Sequence, residues 1–266
     1  MGSIMKHPYF DLEEQDTLQE YDEDFANEVR NYVADQKTFK KEFYADTLKS
    51  VFKKYLKSKD VEDIILSPLP LLKIQTPIPF HEIYDEAARL LPFFVSHRAN
   101  AYKWKSLCLW GLSHAHTGVP EDYGMIESDE LEDEYMGWTD MAKFCPTTKD
   151  WLENKFGFRN FTRVRFMLIQ PGGYIAPHND HERYELVAIN IALNQPVNCD
   201  FIINTYGSIP IDSGDIYLFN NSYDHSILNE STVPRIHMII YGGRHSGWWK
   251  ERIVSSLIYA HNVYVK

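Results

Sequence analysis

The sequence predicts an α+β fold in which a β-sandwich or barrel of the jelly-roll kind follows an N-terminal helical region. In the first 60 residues, apolar side chains recur at helical spacing, as in Thr38–Lys59. From Phe161 to Gly243, short β-rich runs alternate with turn signals, which is typical of antiparallel sandwiches and barrels. We therefore expect a helical region at residues 1–100 that packs on the core, and a jelly-roll domain at residues 101–266.

The chain before the β-rich region divides into helices and one proline-rich segment. Two amphipathic helices are expected between Leu12 and Lys59, and a third at His81–Phe94. Pro68–Pro79 interrupts this pattern, because proline lacks the amide that would continue a helix or a central strand. This segment is a linker or wraps the core. Pro146–Asp150 is typical of a helix start.

The predicted strands are short and rich in β-branched and aromatic residues. They are Trp104–Trp110, Thr162–Gln170, Glu185–Leu193, Asp200–Thr205, Asp215–Phe219 and Ile236–Tyr241. Turn signals stand at Pro171–Gly173, Asn194–Pro196 and Asp212–Gly214.

The composition excludes several classes of protein. The 266 residues contain 27 Lys and Arg against 38 Asp and Glu, a net charge of −11 that repels phosphate backbones, so we expect no nucleic-acid partner. No apolar run approaches the roughly 18 residues of a membrane helix, and the first residues lack the apolar core of a signal peptide. We therefore expect a soluble, cytoplasmic protein with no membrane partner. Cys108, Cys145 and Cys199 are too widely spaced for a disulfide framework or a zinc motif.

Two segments of the β-rich region carry residues that can bind a metal. In an extended chain, residues i and i+2 point to the same side, so His178 and Asp180 can present an imidazole and a carboxylate to one point, while Asn179 faces away. A second imidazole can come from a strand lying opposite. His225 is the candidate, because the intervening chain is long enough for several antiparallel strands.

Two histidines and one carboxylate leave the choice of metal open. Non-haem Fe(II) oxygenases use this ligand set, with three adjacent positions left for a bidentate co-substrate and O₂. Catalytic zinc sites use it as well. Arg235, ten residues beyond His225, favours iron. Its planar guanidinium group can bind the far carboxylate of a dicarboxylic keto acid through two hydrogen bonds, and a zinc hydrolase has no evident use for such a group.

The motifs together resemble one known family. The matching segments are Arg163–Asp180, which holds Pro-Gly, four residues and then Pro-His, Gly214–His225, Asn229 and Pro234–His237. They look like the aspartyl/asparaginyl β-hydroxylase family of 2-oxoglutarate oxygenases, which also includes a bacterial proline cis-4-hydroxylase. The resemblance covers about Phe161 to Gly243 and is specific, because its motifs occur in order.

The resemblance implies a cupin-type double-stranded β-helix and an Fe(II)- and 2-oxoglutarate-dependent dioxygenase. It implies that His178, Asp180 and His225 are the catalytic iron ligands and that Arg235 anchors a carboxylate of 2-oxoglutarate. The implied reaction uses O₂ to hydroxylate a C–H bond and gives succinate and CO₂. Because Asp180 fills the third ligand position, hydroxylation is favoured over halogenation.

The chain departs from the family pattern at two points. Animal aspartyl hydroxylases have glycine where this chain has Asp180, so the chain looks more like the bacterial members that hydroxylate amino acids. A serine before the Pro-Gly turn and a histidine on the following strand are replaced by Met167 and Asn190. Asn190 can still donate a hydrogen bond to the co-substrate.

The substrate is expected to be an amino acid or an amino-acid-like small molecule, with a peptide or protein side chain as the alternative. Arg165 is the candidate for binding a substrate carboxylate. The acidic run Glu127–Glu134 is a solvated loop, or a lid that favours a cationic substrate. A homodimer formed through the N-terminal region is compatible with the sequence. Two other hypotheses remain open. The protein is a non-oxygenase cupin that binds zinc or a sugar, or it is a structural module that recruits a partner.

The remaining histidines are expected to be surface or ordinary core residues, namely His81, His97, His245 and His261. His181 and His237 lie near proposed ligands, as hydrogen-bonding neighbours or bystanders. The His-x-His pair His114 and His116 is weak evidence for a metal and is left outside the site.

Overall fold

The computed structural model describes residues 21–97, 101–117, 136–156, 159–180, 183–186, 188–243 and 247–265. Helices precede and follow a rolled antiparallel sheet in this part of the chain. The helices are α1 (Glu23–Ala34), α2 (Lys41–Ser58), α3 (Glu62–Ile65), α4 (Phe80–Arg89), α5 (Pro146–Asp150) and α6 (Gly247–Tyr264). Short 3-10 turns lie at Leu91–Phe93 and Asp140–Phe144, and a π-helical turn, Trp151–Lys155, extends α5.

Within the described residues, the sheet contains eleven strands. In chain order they are β1 (Leu71–Lys73), β2 (Val95–Ser96), β3 (Ala101–Gly111), β4 (Gly137–Trp138), β5 (Arg159–His178), β6 (Ala188–Ala192), β7 (Cys199–Ile203), β8 (Gly207–Ser208), β9 (Ile216–Phe219), β10 (His225–Asn229) and β11 (Arg235–Gly243). The spatial order is β1-β9-β6-β11-β5-β10-β7-β8, with β3 on the other side of β5. This order confirms the predicted jelly-roll core with N-terminal helices.

Strand β5 belongs to both layers of the roll. Its first half pairs with β11, where Ile169 lies opposite Arg235, and its last residues pair with β10, where His178 lies opposite His225. Strand β3 follows both halves, from Trp110 opposite Val164 to Ala101 opposite Ile175. The single strand β5 thus bends from one layer into the other, and the two layers face each other. The space between them is available for a site.

Strand β5 bends at a β-bulge, whereas the sequence predicted a turn at Pro171–Gly173. The register shifts between Trp104, which lies opposite Ile169, and Tyr102, which lies opposite Tyr174. Gly172 has a φ of +72°, a conformation that favours glycine. Lys103 donates from Nζ to the carbonyl oxygen of Pro171 over 3.0 Å. Because both halves keep their pairing with β3, the extra residues bend the strand and do not reverse it.

Helices cover the outer faces of the roll. The Asp22 side chain caps α1 by accepting from the Phe25 amide at 3.0 Å, and the buried face of α1 packs over β5, β7 and β10. Helices α2 and α6 pack together, with the Tyr44 and Tyr264 rings 4.9 Å apart. Strand β1 lies beside β9 at the sheet edge, so part of the proline-rich segment joins the core.

The sequence did not predict seven of these helices and strands, namely α3, β1, β2, β4, β8, β10 and α6. The other predicted elements occur with shifted ends, and the first predicted helix begins at Glu23 in the described chain. Within the described residues, no helix combines the length and the hydrophobicity needed to cross a bilayer.

Candidate active site

A cavity of about 600 Å³, within the range of small-molecule sites, lies between the two layers of the roll. Alternate residues of a strand lie on the same face. One such face of β5 and one of β11 line the cavity, with the side chains of Arg163, Arg165, Met167, Ile169, Arg235, His237, Ile239 and Tyr241. We call the buried part around Arg235, His237 and Tyr217 the closed end. The part around Arg163, Arg165 and Tyr241 is the mouth end, because Arg163 and Tyr241 are half-buried.

The three predicted metal ligands lie together in this cavity. His178 ends β5, Asp180 follows it, and His225 begins β10 directly opposite His178. One ligand atom from each residue lies within 4.8 Å of the others. Asn179 points away and donates to Asp224 Oδ1 over 2.9 Å. Within the described chain, this is the one cluster of His, Cys, Asp or Glu with the spacing of a metal site.

Backbone carbonyl groups fix the orientation of both imidazoles. His178 Nδ1 lies 2.8 Å from the Ala176 carbonyl oxygen, and His225 Nδ1 lies 3.0 Å from that of Tyr223. A carbonyl oxygen can only accept, so each Nδ1 carries a proton, and Nε2 is the nitrogen that offers its lone pair in the neutral imidazole. The Nε2 atom of His178 lies 3.7 Å from Asp180 Oδ1. The donor set therefore fits a divalent cation.

Asn221 holds the Asp180 carboxylate in place. Its side chain donates from Nδ2 to Asp180 Oδ2 over 3.0 Å, and its carbonyl oxygen accepts from the Asp180 amide at 2.9 Å. This leaves Asp180 Oδ1 on the side of the histidines. Asn221 is among the residues that line the cavity, and its side-chain oxygen is buried and has no hydrogen-bond partner among the described residues.

Burial keeps His225 neutral. Desolvation is the main cause and the neighbouring His178 a smaller one, and together they lower the pKa of His225 from 6.5 to about 4. A neutral imidazole is the form that binds a metal, so His225 is ready to act as a ligand at neutral pH.

At the closed end, Arg235 is fixed by two neighbours. Its Nε donates to Gln195 Oε1 over 3.0 Å, and its Nη2 donates to His237 Nδ1 over 3.1 Å. Tyr217 OH lies 3.4 Å from the same His237 nitrogen. Burial, with the charge of Arg235 as a smaller cause, lowers the pKa of His237 well below its ordinary value, so this histidine is a neutral acceptor for the guanidinium.

The two residues at which the chain departs from the family pattern also line the cavity. Asn190 lies on β6 opposite Tyr217 of β9, and Met167 lies on β5 opposite His237. Asn190 therefore brings a side-chain amide close to the closed end, whereas Met167 brings an apolar surface.

At the mouth end, the buried Arg165 contacts the segments on either side of β3. Its Nη1 donates to the Thr117 carbonyl oxygen and lies 3.4 Å from His97 Nε2. The guanidinium carbons of Arg163 and Arg165 lie 5.1 and 5.8 Å from the centre of the Tyr241 ring, within cation–π range. Arg165 is thus held inside the cavity and is not a solvent-exposed arginine.

Sequence reasoning missed four residues of the site, namely Asn221, Gln195, Tyr217 and His97. Their partners come from other strands or loops, so spacing along the chain carries no signal for them. His97 was expected to be an ordinary surface or core residue, but it lines the cavity beside Arg165. His237 is a hydrogen-bonding neighbour of Arg235.

Other sequence predictions lie away from the cavity or outside the described residues. Among described histidines, His81, His114, His116 and His261 do not line the cavity. The predictions for His181, His245 and the acidic run Glu127–Glu134 fall outside the described residues.

Comparison with known proteins identifies the family. Residues 80–244, more than half of the chain, match the family model described as aspartyl/asparaginyl beta-hydroxylase. No curated protein matches the chain.

Several solved structures are similar to the chain at low identity. A prolyl-4-hydroxylase from Pseudomonas putida is 15% identical over 70% of this chain and 97% of its own, with a TM-score of 0.38. A Trichoplax adhaerens prolyl hydroxylase, solved with a hypoxia inducible factor peptide fragment, is 13% identical over 82% and 94%, with a TM-score of 0.39. A viral collagen prolyl hydroxylase from Paramecium Bursaria Chlorella virus-1, in its 2OG complex, is 15% identical over 65% and 94%, with a TM-score of 0.36.

The family match covers every strand that contributes to the cavity, from β3 to β11, and contains the motifs that indicated this family in the sequence. The chain belongs to the aspartyl/asparaginyl β-hydroxylase family and is a 2-oxoglutarate-dependent oxygenase of the hydroxylase class.

Proposed function

We propose that this protein is an Fe(II)- and 2-oxoglutarate-dependent dioxygenase that hydroxylates a C–H bond of an amino acid or an amino-acid-like small molecule. The observation that carries the proposal is one cavity that contains both the cluster of His178, Asp180 and His225 and the buried Arg235. A zinc hydrolase needs the first feature but has no evident use for the second.

His178, Asp180 and His225 hold the metal in this proposal. Bound Fe(II), together with 2-oxoglutarate and O₂, supplies the oxidising power that hydroxylates the substrate, and 2-oxoglutarate becomes succinate and CO₂. Asn221 and the two backbone carbonyl groups orient the three side chains before any metal binds. This arrangement lowers the entropy cost of assembling the site.

Arg235 binds the distal carboxylate of 2-oxoglutarate. Gln195 and His237 engage its Nε and one N–H of Nη2, so three of the five guanidinium N–H groups remain for an anion. Asn190 offers a donor in place of the family histidine, and the Tyr217 hydroxyl flanks the same point. Phe201, Phe219 and Met167 line the same cavity and exclude water, which strengthens the ion pair.

The side chains also support an amino-acid-like substrate. The side-chain oxygen of Asn221 is a buried acceptor beside the metal ligands and suits the ammonium group of an amino acid. Hydroxylation of a peptide or protein side chain is the alternative outcome of the test.

An anaerobic titration with Fe(II) and 2-oxoglutarate tests this proposal. The wild-type protein should develop the weak visible charge-transfer band of an iron–keto-acid complex, and His225→Ala should not. His81→Ala, which changes a histidine away from the cavity, is the matched control and should behave like the wild type. Iron binding without the band would contradict the 2-oxoglutarate assignment. Aerobic succinate release can then be screened with free amino acids and with short peptides.

A further inference from the structure

The loop between β9 and β10, residues 220–224, carries the groups that orient two of the proposed metal ligands. Asn221 donates to the Asp180 carboxylate and accepts from the Asp180 amide. The Tyr223 carbonyl oxygen lies 3.0 Å from His225 Nδ1. A shift of this loop would therefore displace both ligands, so the contacts that hold the loop also set the geometry of the site.

Asn220, the first residue of the loop, is fully buried and contacts the proline-rich segment. Its Nδ2 donates to the carbonyl oxygens of Ser67 and Leu69, each over 3.1 Å. Its backbone amide donates to the Pro70 carbonyl oxygen over 2.9 Å. Because a carbonyl oxygen only accepts, the side-chain nitrogen of Asn220 must face this segment, and both of its N–H groups are used.

The side-chain oxygen of Asn220 faces the other way and organises the loop itself. It accepts from Ser222 Oγ at 2.6 Å and from the amides of Ser222 and Glu185 at 3.3 Å. Glu185 lies between β5 and β6, and the amide of the next residue, Leu186, donates to the Ile65 carbonyl oxygen over 2.9 Å. One buried amide group thus joins the proline-rich segment, the loop and the segment that follows β5.

A second side chain of the loop reaches the same segment. Tyr223 donates from its hydroxyl to the Pro68 carbonyl oxygen over 2.8 Å. The Tyr206 hydroxyl, on the turn between β7 and β8, donates to the same oxygen over 3.4 Å. The Pro68 carbonyl oxygen therefore accepts one hydrogen bond from the loop and one from outside it.

The proline-rich segment depends on these donors. Pro68 and Pro70 have no amide, so residues 67–70 cannot form a full ladder with a neighbouring strand. Ser67 and Leu69 are buried, and a buried carbonyl group without a partner is costly. All four carbonyl oxygens of residues 67–70 accept from the loop. The segment and the loop therefore fix each other.

We propose that Asn220 and Tyr223 are positioning residues for the metal site, and that residues 67–70 are the support against which they hold the loop. Asn220 acts on Asp180 through the neighbouring Asn221, and Tyr223 acts on His225 through its own carbonyl group. This inference rests on the proposed function for the identity of the metal ligands. It extends the site from the roll into the region that precedes it in the chain.

Binding of Co(II) to the metal-free, full-length protein tests the proposal without turnover. The visible absorption of bound Co(II) reports both its affinity and its coordination geometry. Tyr223→Phe removes only a hydroxyl group and should lower the affinity roughly threefold to tenfold, as expected for one hydrogen bond. Asn220→Ala should lower it by at least roughly tenfold and change the Co(II) spectrum, because the loop loses its main tie.

Tyr206→Phe is the matched control, because it removes a hydroxyl that donates to the same Pro68 oxygen from outside the loop. Its Co(II) affinity should stay within about twofold of the wild type. Tyr206 also contacts Thr47 Oγ1 at 3.0 Å, so Tyr206→Phe should lower the free energy of unfolding of the metal-free protein at least as much as Tyr223→Phe. A purely structural role of Tyr223 would not produce opposite orders of affinity and stability.

The outcomes separate this inference from the proposed function. Equal Co(II) affinity and identical spectra in the wild type, Tyr223→Phe and Asn220→Ala would overturn the positioning role and leave the metal site intact. Equal losses of affinity in the two tyrosine variants would also overturn it, because the effect would then follow the stability of the segment. If Asn220→Ala does not fold, the two tyrosine variants decide. A wild type that binds no Co(II) would contradict the metal site of the proposed function itself.

Discussion

The two ends of the cavity both present a buried arginine, but they are built in different ways. Arg235 at the closed end is held by Gln195 and His237, which lie within the roll. Arg165 at the mouth end is held by His97 and the backbone of Thr117, which flank strand β3 in the chain. In the proposed function, residues from β6 to β11 therefore build the co-substrate site, whereas the segments on either side of β3 shape the substrate site.

Loss of a proposed metal ligand, which lies in the same cavity as both arginines, has the largest expected effect. Asp180→Ala removes one of three ligands and should lower hydroxylation by at least roughly 100-fold, measured as succinate release, because metal binding also depends on it. Asp224→Ala changes an aspartate that contacts Asn179 and lies outside the ligand cluster, and is the matched control. Full turnover by Asp180→Ala would show that this carboxylate is not a ligand.

The second prediction concerns a substitution that disturbs the closed end of the cavity alone. Gln195→Leu removes the acceptor for Arg235 Nε, and a hydrogen bond to a charged group contributes about 1.5 to 3 kcal/mol, so the KM for 2-oxoglutarate should rise roughly tenfold or more. Zn(II) binding at the cluster of His178, Asp180 and His225 should stay unchanged. Gln75→Leu, at an exposed position, is the control. An unchanged KM for 2-oxoglutarate would contradict the role of Gln195 in holding Arg235.

The third prediction concerns the bulge that joins the two halves of β5. A Cβ on Gly173 would lie 2.8 Å from the Gln170 carbonyl oxygen and 2.9 Å from that of Tyr102. Gly173→Ala should therefore force β3 and β5 apart and lower the free energy of unfolding by about 1 to 3 kcal/mol. A Cβ on Gly137 meets nothing within 4 Å, so Gly137→Ala is the control in the same denaturant titration. Equal stability of the two variants would contradict a tight bulge.

The smallest expected effect is a pH dependence that arises at the closed end. The folded-state pKa of His237 is depressed, so its contribution to stability is present above its unfolded pKa of 6.5 and is lost as pH falls below that value. Between pH 7 and pH 5 the wild type should lose up to about 2 kcal/mol more than His237→Gln, which keeps an acceptor for Arg235. The measurement is chemical denaturation of the metal-free protein at both pH values. Parallel losses would show that His237 does not titrate as a buried group.

The sequence predicted the parts of the molecule that depend on local patterns. The short strands and the His178, Asp180, His225 and Arg235 pattern could be read because alternation and spacing are local properties. Strand β10 was missed because it directly follows the turn-like Asn220–Asp224 segment. Strand β1 was hidden in the proline-rich segment.

The supporting contacts could not be predicted, because they join distant parts of the chain. Asn221 contacts Asp180 across 41 residues, and His97 contacts Arg165 across 68 residues. Only the fold in β5 and the pairing of β3 with both of its halves bring such pairs together. Nothing in the local sequence distinguishes Asn221 from an ordinary turn residue or His97 from a core histidine.

Calorimetric titration tests most directly which end of the cavity binds 2-oxoglutarate. The ligand is titrated into the Zn(II)-loaded wild type, Arg235→Met and Arg165→Met. We expect Arg235→Met to lose at least roughly 100-fold in affinity and Arg165→Met to stay within about twofold of the wild type, because in the proposed function Arg235, and not Arg165, binds the distal carboxylate. The opposite result, with binding lost in Arg165→Met and kept in Arg235→Met, would contradict the assignment of the two ends.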